Sequence, residues 1–573
     1  MLTAHHTLTS RIQAALGAAF GADFLAWDPQ LRAATRPEFG HVQTNLPLRL
    51  AEPTGLTPHE AGARLLAEID VDGLCLPPQL AGAGFVNLTW LPELLCAQVD
   101  TLLVDDRLGV VPAQRAQRIV LDYSSPNVAK QMHVGHLRST VIGDALARVL
   151  SYAGHDVVAR NHLGDWGTQF GMLIEQLDDE GHDGGDLGLV ALDACYKRAR
   201  ARFDQDAEFA DRSRRRVVAL QGGDPTTVAV WDRLVEVSVA AFHDMCARMG
   251  ALLTERDIAG ESSYNDALPG VVTDLDAAGL LSESDGALCA FLPGFTTRDG
   301  SPLPLIVRKA DGGFGYDATD LAALRHRVDE LAADRLVYVV DVRQSLHFDM
   351  VFAVAHAAGW LPAAVTVEHV AFGTVLGADG RPFKTRSGET VPLASLLDAA
   401  EAKALQAEWG SELDEEERAH VARAVGLGAI KYADLSNGLG RDYVFDLDRM
   451  VAMDGDTGPY LQYAHARLVS LLGRAGEVTG HAENLAHPKE QRLALLVAGF
   501  PEVVEKVATT LEPHHLCGYL HQLAAAFSSF YAACPVNKAD DASRSTRVAL
   551  CLASQRVLST GLGLLGIEAL DAM

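Results

Sequence analysis

Arg118-Ile-Val-Leu-Asp-Tyr-Ser-Ser-Pro-Asn-Val-Ala-Lys-Gln-Met-His-Val-Gly-His-Leu-Arg-Ser-Thr140 reads as a strand, a turn and the start of a helix. Residues 119–121 form a short apolar run rich in β-branched side chains, and Pro126 and Asn127 mark a turn. From Val134 onward apolar residues recur at helical spacing. The helix therefore begins at His133-Val-Gly-His136. Its first backbone N–H groups lack intrahelical acceptors and carry partial positive charge, which suits a phosphate. Two imidazoles three residues apart can share one face of the first turn, and Gly135 leaves room for a purine against the backbone. This describes a nucleotide site without a P-loop, since the chain has no Gly-Lys pair from which to build one. The competing readings are a metal pair, which lacks a third ligand at HExxH-like spacing, and two structural histidines.

Outward from this segment, short apolar runs at 119–121, 157–159, 336–340 and 365–372 alternate with helical stretches. That alternation predicts an α/β fold with a doubly wound, Rossmann-like parallel sheet over residues 113–400. A long, largely helical insertion spans about 170–302 and divides the sheet into halves. Residues 1–112 read as an N-terminal α+β domain, with helices at 8–20, 57–70 and 94–103, a strand at 84–90, and a linker carrying Gly109 and Pro112. From 401 to 573 the pattern is all-helical with no convincing strand, and a distinct part begins at about 457. Gly561-Leu-Gly-Leu-Leu-Gly566 matches GxGxxG, but it follows a helical pattern rather than a strand. It is read as helix packing or a turn.

Composition bounds the answer. The 573 residues suffice for three or four domains, and 48% hydrophobic with 21% charged residues is the balance of a globular chain. No apolar stretch approaches the about 20 residues a bilayer demands, and no secretion signal is visible. The eight cysteines are scattered without a CxxC, which argues for reduced thiols, a cytoplasmic location and no structural zinc. The net charge of −27 argues mildly against a nucleic-acid partner unless basic residues gather on one face. Candidates are Lys197-Arg-Ala-Arg-Ala-Arg202 and Arg212-Ser-Arg-Arg-Arg216, each equally readable as a solvated helix face.

The stretch from Tyr123 to Thr140 resembles the signature of class I aminoacyl-tRNA synthetases, specifically the arginyl-tRNA synthetases. Further blocks similar to that family follow in order: Asn161-His-Leu-Gly-Asp-Trp-Gly-Thr-Gln169, Tyr316-Asp-Ala-Thr-Asp320, Asp341-Val-Arg-Gln-Ser-Leu-His-Phe348, Phe372-Gly-Thr-Val-Leu-Gly377 and Phe383-Lys-Thr-Arg-Ser-Gly388. The resemblance implies arginine–tRNA ligation. ATP is the substrate with Mg²⁺ accompanying it, L-arginine and an arginine-accepting tRNA are partners, neither membrane nor DNA is involved, and a monomer is expected. The insertion resembles the connective insertion of class I enzymes, and residues 1–112 an appended domain contacting the tRNA elbow. The family also needs tRNA for efficient activation.

Adenylate formation demands positioning and charge stabilisation around a triphosphate rather than a nucleophile–base pair. The resemblance implies that His133, Gly135 and His136 bind ATP, with Lys384 and Arg386 in a mobile loop on the pyrophosphate side. The class signature Lys-Met-Ser-Lys is absent, leaving Lys384 alone. Lys130 is implied as its compensation. For arginine, Tyr316 and Asp320 sit i, i+4 and match the family's guanidinium pair. Asp122, Ser124, Asn127, His162 and Gln344 match its other substrate contacts. Tyr460, Tyr463 and Arg467 lie on a helix resembling the anticodon-binding domain and are expected to meet unpaired bases. Core packing is the rival for the tyrosines and a structural salt bridge the rival for Asp320. The ending Asp571-Ala-Met573 departs from the family's basic residue before a final methionine, which leaves a tRNA contact there in doubt. Three other functions stay open at this stage: a different class I ligase, a smaller nucleotidylyltransferase, or a non-catalytic tRNA-binding paralogue.

Overall fold

A computed structural model describes residues 4–34, 36–182, 184–185, 187–384, 390–407, 413–476 and 480–573. Its centre is a four-stranded sheet in the order Thr366–Phe372, Arg335–Asp341, Arg118–Asp122, Asp156–Arg160, with every neighbouring pair parallel. Val120 pairs with Leu336 on one side and Val158 on the other. Ile119, Leu121, Leu336 and Val337 are wholly buried, as strands covered on both faces require. The chain adds its second strand on one flank and its third on the other. The order therefore reverses between Arg118–Asp122 and Arg335–Asp341, and a crevice opens at their carboxyl ends.

The helix Val134–Tyr152 descends from that crevice, buried along most of its length. It lies close enough to the strand that a Cβ on Gly143 would sit 2.2 Å from the Tyr123 ring, so only glycine fits there. Ser139 ties the helix to the sheet: its hydroxyl donates to the Val339 carbonyl at 2.7 Å and accepts the Ser124 N–H at 2.8 Å.

The insertion departs from expectation. Four helices, Thr168–Glu180, Leu189–Gln205, Ala207–Gln221 and Pro225–Arg248, bear out its helical reading. Its last part instead forms an antiparallel meander of Leu281–Ser284, Ala287–Thr296 and Pro302–Arg308, so structure foreign to the main sheet extends past 302. The first hairpin turns on Asp285 and Gly286, both at positive φ, as a tight hairpin turn demands.

The N-terminal region packs the helices Ala4–Phe20, Leu46–Thr54, Pro58–Glu68 and Pro92–Val104 against a four-stranded antiparallel sheet. Thr57 and Glu60 form a reciprocal capping box at the third of these boundaries. Beyond the sheet, Leu393–Leu405 runs through residue 400, and the helices Glu415–Leu435, Gly458–Ala475, Pro488–Ala498, Phe500–Thr510, His514–Ala533 and Asp541–Leu564 follow. The expectation of no strand here needs one correction. Tyr443–Val444 pairs in parallel with Val375–Leu376, two residues being too short for any periodic signal. Gly561 lies within Asp541–Leu564, where a Cβ would meet the Leu520 side chain at 2.5 Å, so the GxGxxG match is helix packing. Among the described residues no helix is long and apolar enough to cross a membrane.

One buried ion pair joins the sheet domain to the helical part. Arg138, on the helix below the crevice, donates to Asp434 of Glu415–Leu435 at 3.3 Å, and both side chains are essentially inaccessible. The guanidinium also donates to the carbonyls of Gly373 and Arg441, while Tyr443 donates its hydroxyl to Asp434 at 3.0 Å. Removing one member strands the other charge in apolar surroundings. Arg138→Leu should cost about 3–5 kcal/mol of stability. Arg138→Leu with Asp434→Leu should recover most of that loss, with urea-unfolding midpoints as the measurement.

Candidate active site

The crevice holds a cavity of about 260 Å³ whose lining includes His133, Gly135, Asp341, Arg343, Phe383 and Lys384. His133 is the N-cap of Val134–Tyr152 in an extended conformation. Its Nδ1 accepts the Gly135 N–H at 3.0 Å, and its own N–H donates to His136 Nδ1 at 3.1 Å. The two rings stack with centroids 4.0 Å apart. With both Nδ1 atoms accepting, each neutral ring carries its proton on Nε2 and offers one N–H donor. Burial, with Lys130 and Arg343 nearby, lowers the His133 pKa. Burial, His133 and Lys130 push His136 down to about 3. The histidines are therefore neutral donors, and positive charge around the cavity comes from lysine and arginine.

Lys384 is exposed and bridges to Thr390, closing the base of the loop between them. Just past that loop, Val134 donates its N–H to the Val391 carbonyl at 3.2 Å, and Leu393 donates to the Met132 carbonyl at 2.9 Å. The segment from Thr390 onward is thus tied to the start of the histidine helix, which is why residues far apart in sequence share one cavity. Arg386 lies outside the described residues. Lys130 sits just before the histidine helix, with its ammonium 4.2 Å from the centroid of the Tyr196 ring.

The turn leaving the first strand is conformationally costly. Ser124, Ser125 and Ala129 all have positive φ, a region that charges non-glycine residues a steric penalty. Asp122 is almost fully buried. It accepts from Arg327 Nη2 at 2.6 Å and from the Ser125 hydroxyl at 3.0 Å, so its carboxylate is already occupied within the protein. Ser124 Oγ accepts from Thr140 at 3.0 Å. Asn127 is exposed and pairs with Gly164, whose missing Cβ would otherwise collide with the Asn127 amide oxygen at 2.3 Å.

A second cluster is acidic. Tyr316 and Asp320 begin the helix Tyr316–Asp329; Tyr316 is exposed with its ring edge-on to His347, at 5.0 Å between centroids. His347 lies between two carboxylates, Nε2 at 2.6 Å from Asp320 and Nδ1 at 3.2 Å from Asp317. Those partners outweigh burial and raise its pKa to about 9. His162 Nε2 lies 3.6 Å from the other Asp320 oxygen. Glu261, crowded by burial, Asp320 and Asp165, is pushed up to about 8 and holds a proton near neutrality. Gln344 is exposed on the short turn after Arg335–Asp341.

Sequence reasoning overlooked Glu261, Asp317, His347 and Arg343. Asp317, Arg343 and His347 stood inside quoted blocks, so position within a motif was the available signal; Glu261 fell in the insertion and carried none.

Tyr460, Tyr463 and Arg467 stand apart from the crevice on Gly458–Ala475. Tyr463 is exposed, Tyr460 is partly buried with its hydroxyl 3.4 Å from Ser528, and Arg467 lies 4.5 Å over the Tyr531 ring. Most arginines of the two basic runs are paired with carboxylates. Arg198 pairs with Glu180, Arg202 and Arg212 with Asp179, and Arg216 with Glu175 and Asp178. All eight cysteines are buried and free. Among the described residues one metal-compatible group occurs, Glu512, His514 and His515, at a helix N-terminus whose dipole opposes a cation.

Three family models match the chain. They are tRNA synthetases class I (R), catalytic domain, over residues 98–447; the DALR anticodon binding domain over 461–573; and the arginyl tRNA synthetase N terminal domain over 6–90. The chain is 50% identical to an arginine–tRNA ligase of Cutibacterium acnes, across 99% of this chain and 100% of that one. It is 49% identical to an arginine–tRNA ligase of Thermobifida fusca, covering 99% of each. The arginyl-tRNA synthetase of Thermus thermophilus superposes with a TM-score of 0.84 at 26% identity over the full length of both chains. That of Plasmodium falciparum shares the fold with a TM-score of 0.84 at 24% identity, covering 99% of each.

The His347 cluster makes a pH-dependent contribution to stability. Its folded pKa lies above the ordinary 6.5, so the stabilisation is complete below 6.5 and is lost as pH climbs through about 9. His347→Gln should abolish this alkaline loss, which thermal melts taken from roughly pH 6 to 10 will reveal.

Proposed function

The chain belongs to the class I arginyl-tRNA synthetases, and from that premise we propose how its cavity and acidic cluster divide the work. The activity is that of an arginine–tRNA ligase: L-arginine and ATP give arginyl-adenylate and pyrophosphate. The terminal adenosine of the arginine-accepting tRNA then takes the arginyl group, and AMP leaves. In the first step a carboxylate oxygen of arginine attacks the α-phosphorus, and the bond to the bridging oxygen of pyrophosphate breaks.

ATP lies in the cavity at the strand-order reversal. The Nε2–H donors of His133 and His136 meet phosphate oxygens, the base and ribose approach over Gly135, and Lys384 with Arg386 takes the leaving pyrophosphate. Lys130 supplies the second ammonium that the Lys384 loop lacks. The juxtaposition of His133 and Lys384 in one cavity is the observation that carries this reading. Neutral imidazoles suit it: they donate hydrogen bonds to both ground and transition states, while the lysines respond to charge as it shifts to pyrophosphate. Mg²⁺ enters as part of the nucleotide. Asp341 is the single carboxylate among the described lining residues, and it is bound to Arg343 at 2.7 Å.

Arginine is held with its guanidinium among Asp320, Glu261 and the Tyr316 ring, displacing His347 from Asp320. A planar guanidinium supplies paired donors that carboxylates match and an imidazole cannot. His162 and Gln344 line its path. Ser124 and Asn127 hold the amino-acid head, and Asp122 acts at one remove through Arg327 and Ser125. Domain roles follow the three parts of the chain: residues 1–112 for the tRNA elbow, 113–400 with the insertion at 170–302 for catalysis, and 401–573 for the tRNA stem and, from about 457, the anticodon. There Tyr463 offers a stacking face, with Tyr460 and Arg467 beside it. The enzyme works as a cytoplasmic monomer.

Asp320→Ala should abolish arginine-dependent pyrophosphate exchange while ATP affinity stays within about twofold, measured by nucleotide titration; equal loss of both would remove Asp320 from its guanidinium role. Arginine binding near pH 7 should also release a proton as Glu261 ionises, since its pKa of about 8 falls once a guanidinium sits beside it. Calorimetry in buffers of different ionisation enthalpy reads proton release directly, and Glu261→Gln should reduce it, leaving the part that His347 gives up on leaving Asp320.

A further inference from the structure

The loop that carries Lys130 is gripped by the insertion at three points. Ala129, in its left-handed conformation, donates its backbone N–H to Ser238 Oγ of Pro225–Arg248 at 3.0 Å in a buried setting. Gln131 donates its side-chain amide to Asp193 at 3.5 Å. Between them the Lys130 ammonium stands 4.2 Å from the centre of the Tyr196 ring. Asp193, Tyr196 and Lys197 lie i, i+3 and i+4 on Leu189–Gln205, so they share one face of that helix. The helix is anchored beside them by the buried Leu192 and Cys195. Lys197 pairs with Asp193 at 3.3 Å and keeps that carboxylate occupied.

Among the described residues Lys130 forms no ion pair, and its contact is with the aromatic face. That choice of partner has a mechanistic meaning. A carboxylate beside Lys130 would neutralise it and compete with a triphosphate. A ring instead fixes the position of the ammonium through its quadrupole, leaves the full charge in place, and binds weakly enough to yield to a polyanion. The strained Ala129 backbone sets where the side chain starts, and the ring sets where it ends. The charge so placed is felt by both histidines, whose pKa values it lowers together with burial.

We propose that Tyr196, from the insertion helix, is a positioning residue for adenylate formation: its ring holds the Lys130 ammonium beside the histidine pair, poised for the triphosphate. The proposal deepens the assignment of Lys130 as the compensating lysine and rests on it.

The test is a double-mutant cycle on the full-length enzyme, read by arginine-dependent pyrophosphate exchange and by single-turnover adenylate formation. Tyr196→Leu keeps apolar bulk but removes the π face, and should lower kcat by about threefold to tenfold, with the KM for arginine unchanged. Tyr196→Phe, which restores the ring, should recover most of the rate. In a Lys130→Met background, itself slow, Tyr196→Leu should cause no further loss. Thermal melts show whether each variant is folded. Equal losses from Tyr196→Leu in both backgrounds, or a Tyr196→Phe enzyme as slow as Tyr196→Leu, would overturn the positioning role and leave Tyr196 as packing. An unaltered rate in Lys130→Met alone would overturn the lysine assignment beneath it.

Discussion

Parallel pairing of Arg118–Asp122 with Arg335–Asp341 is the constraint on which the molecule depends. Two strands separated by the whole insertion become neighbours, and the sheet's order reverses at their junction. Their carboxyl ends then deliver, side by side, the turn leading to His133 and the turn carrying Asp341 and Arg343. Asp156–Arg160 delivers the segment that begins with His162, and Thr366–Phe372 leads on to the lysine loop. The chemistry gathers here because successive segments all leave the sheet on the same side.

Electrostatics at the crevice are divided between groups that keep charge and groups that do not. The stacked histidines are held neutral by burial and by neighbouring cations, with their Nδ1 acceptors occupied by backbone. Around the acidic cluster the opposite arrangement holds: His347 is charged because two carboxylates enclose it, and Glu261 keeps its proton because others crowd it. A resident imidazolium thus sits among the clustered carboxylates, which limits the electrostatic cost of bringing them together. The same economy holds in the dense arginine runs of this acidic chain, whose net charge is −27. In the insertion those arginines answer local carboxylates, and each exposed pair adds little stability.

Much of this was legible in the sequence, for physical reasons. The two inner strands announced themselves as apolar runs because both of their faces are buried, and the two edge strands carried the same apolar bias at partial burial. The histidine helix showed itself by its turn and its periodicity. Other features left no local trace. Tyr443–Val444 is too short to be periodic, and its existence depends on the distant Val375–Leu376. The meander from Leu281 to Arg308 did carry a hairpin signal at Asp285-Gly286, outweighed by the helical pattern before it. Glu261 and His347 join Asp320 only through tertiary folding, and the occupation of Asp122 by Arg327 is invisible without coordinates. The basic runs show the limit in the other direction: composition marked them as conspicuous, while their partners Glu175, Asp178, Asp179 and Glu180 lie on another helix.

Arg138 lies one turn below the histidines, and its counter-ion belongs to Glu415–Leu435. The third part of the chain is consequently no detachable module. Severing it would strip the guanidinium beneath the histidine cavity of its counter-ion, so the floor of that crevice is completed only by a helix from the third part of the polypeptide.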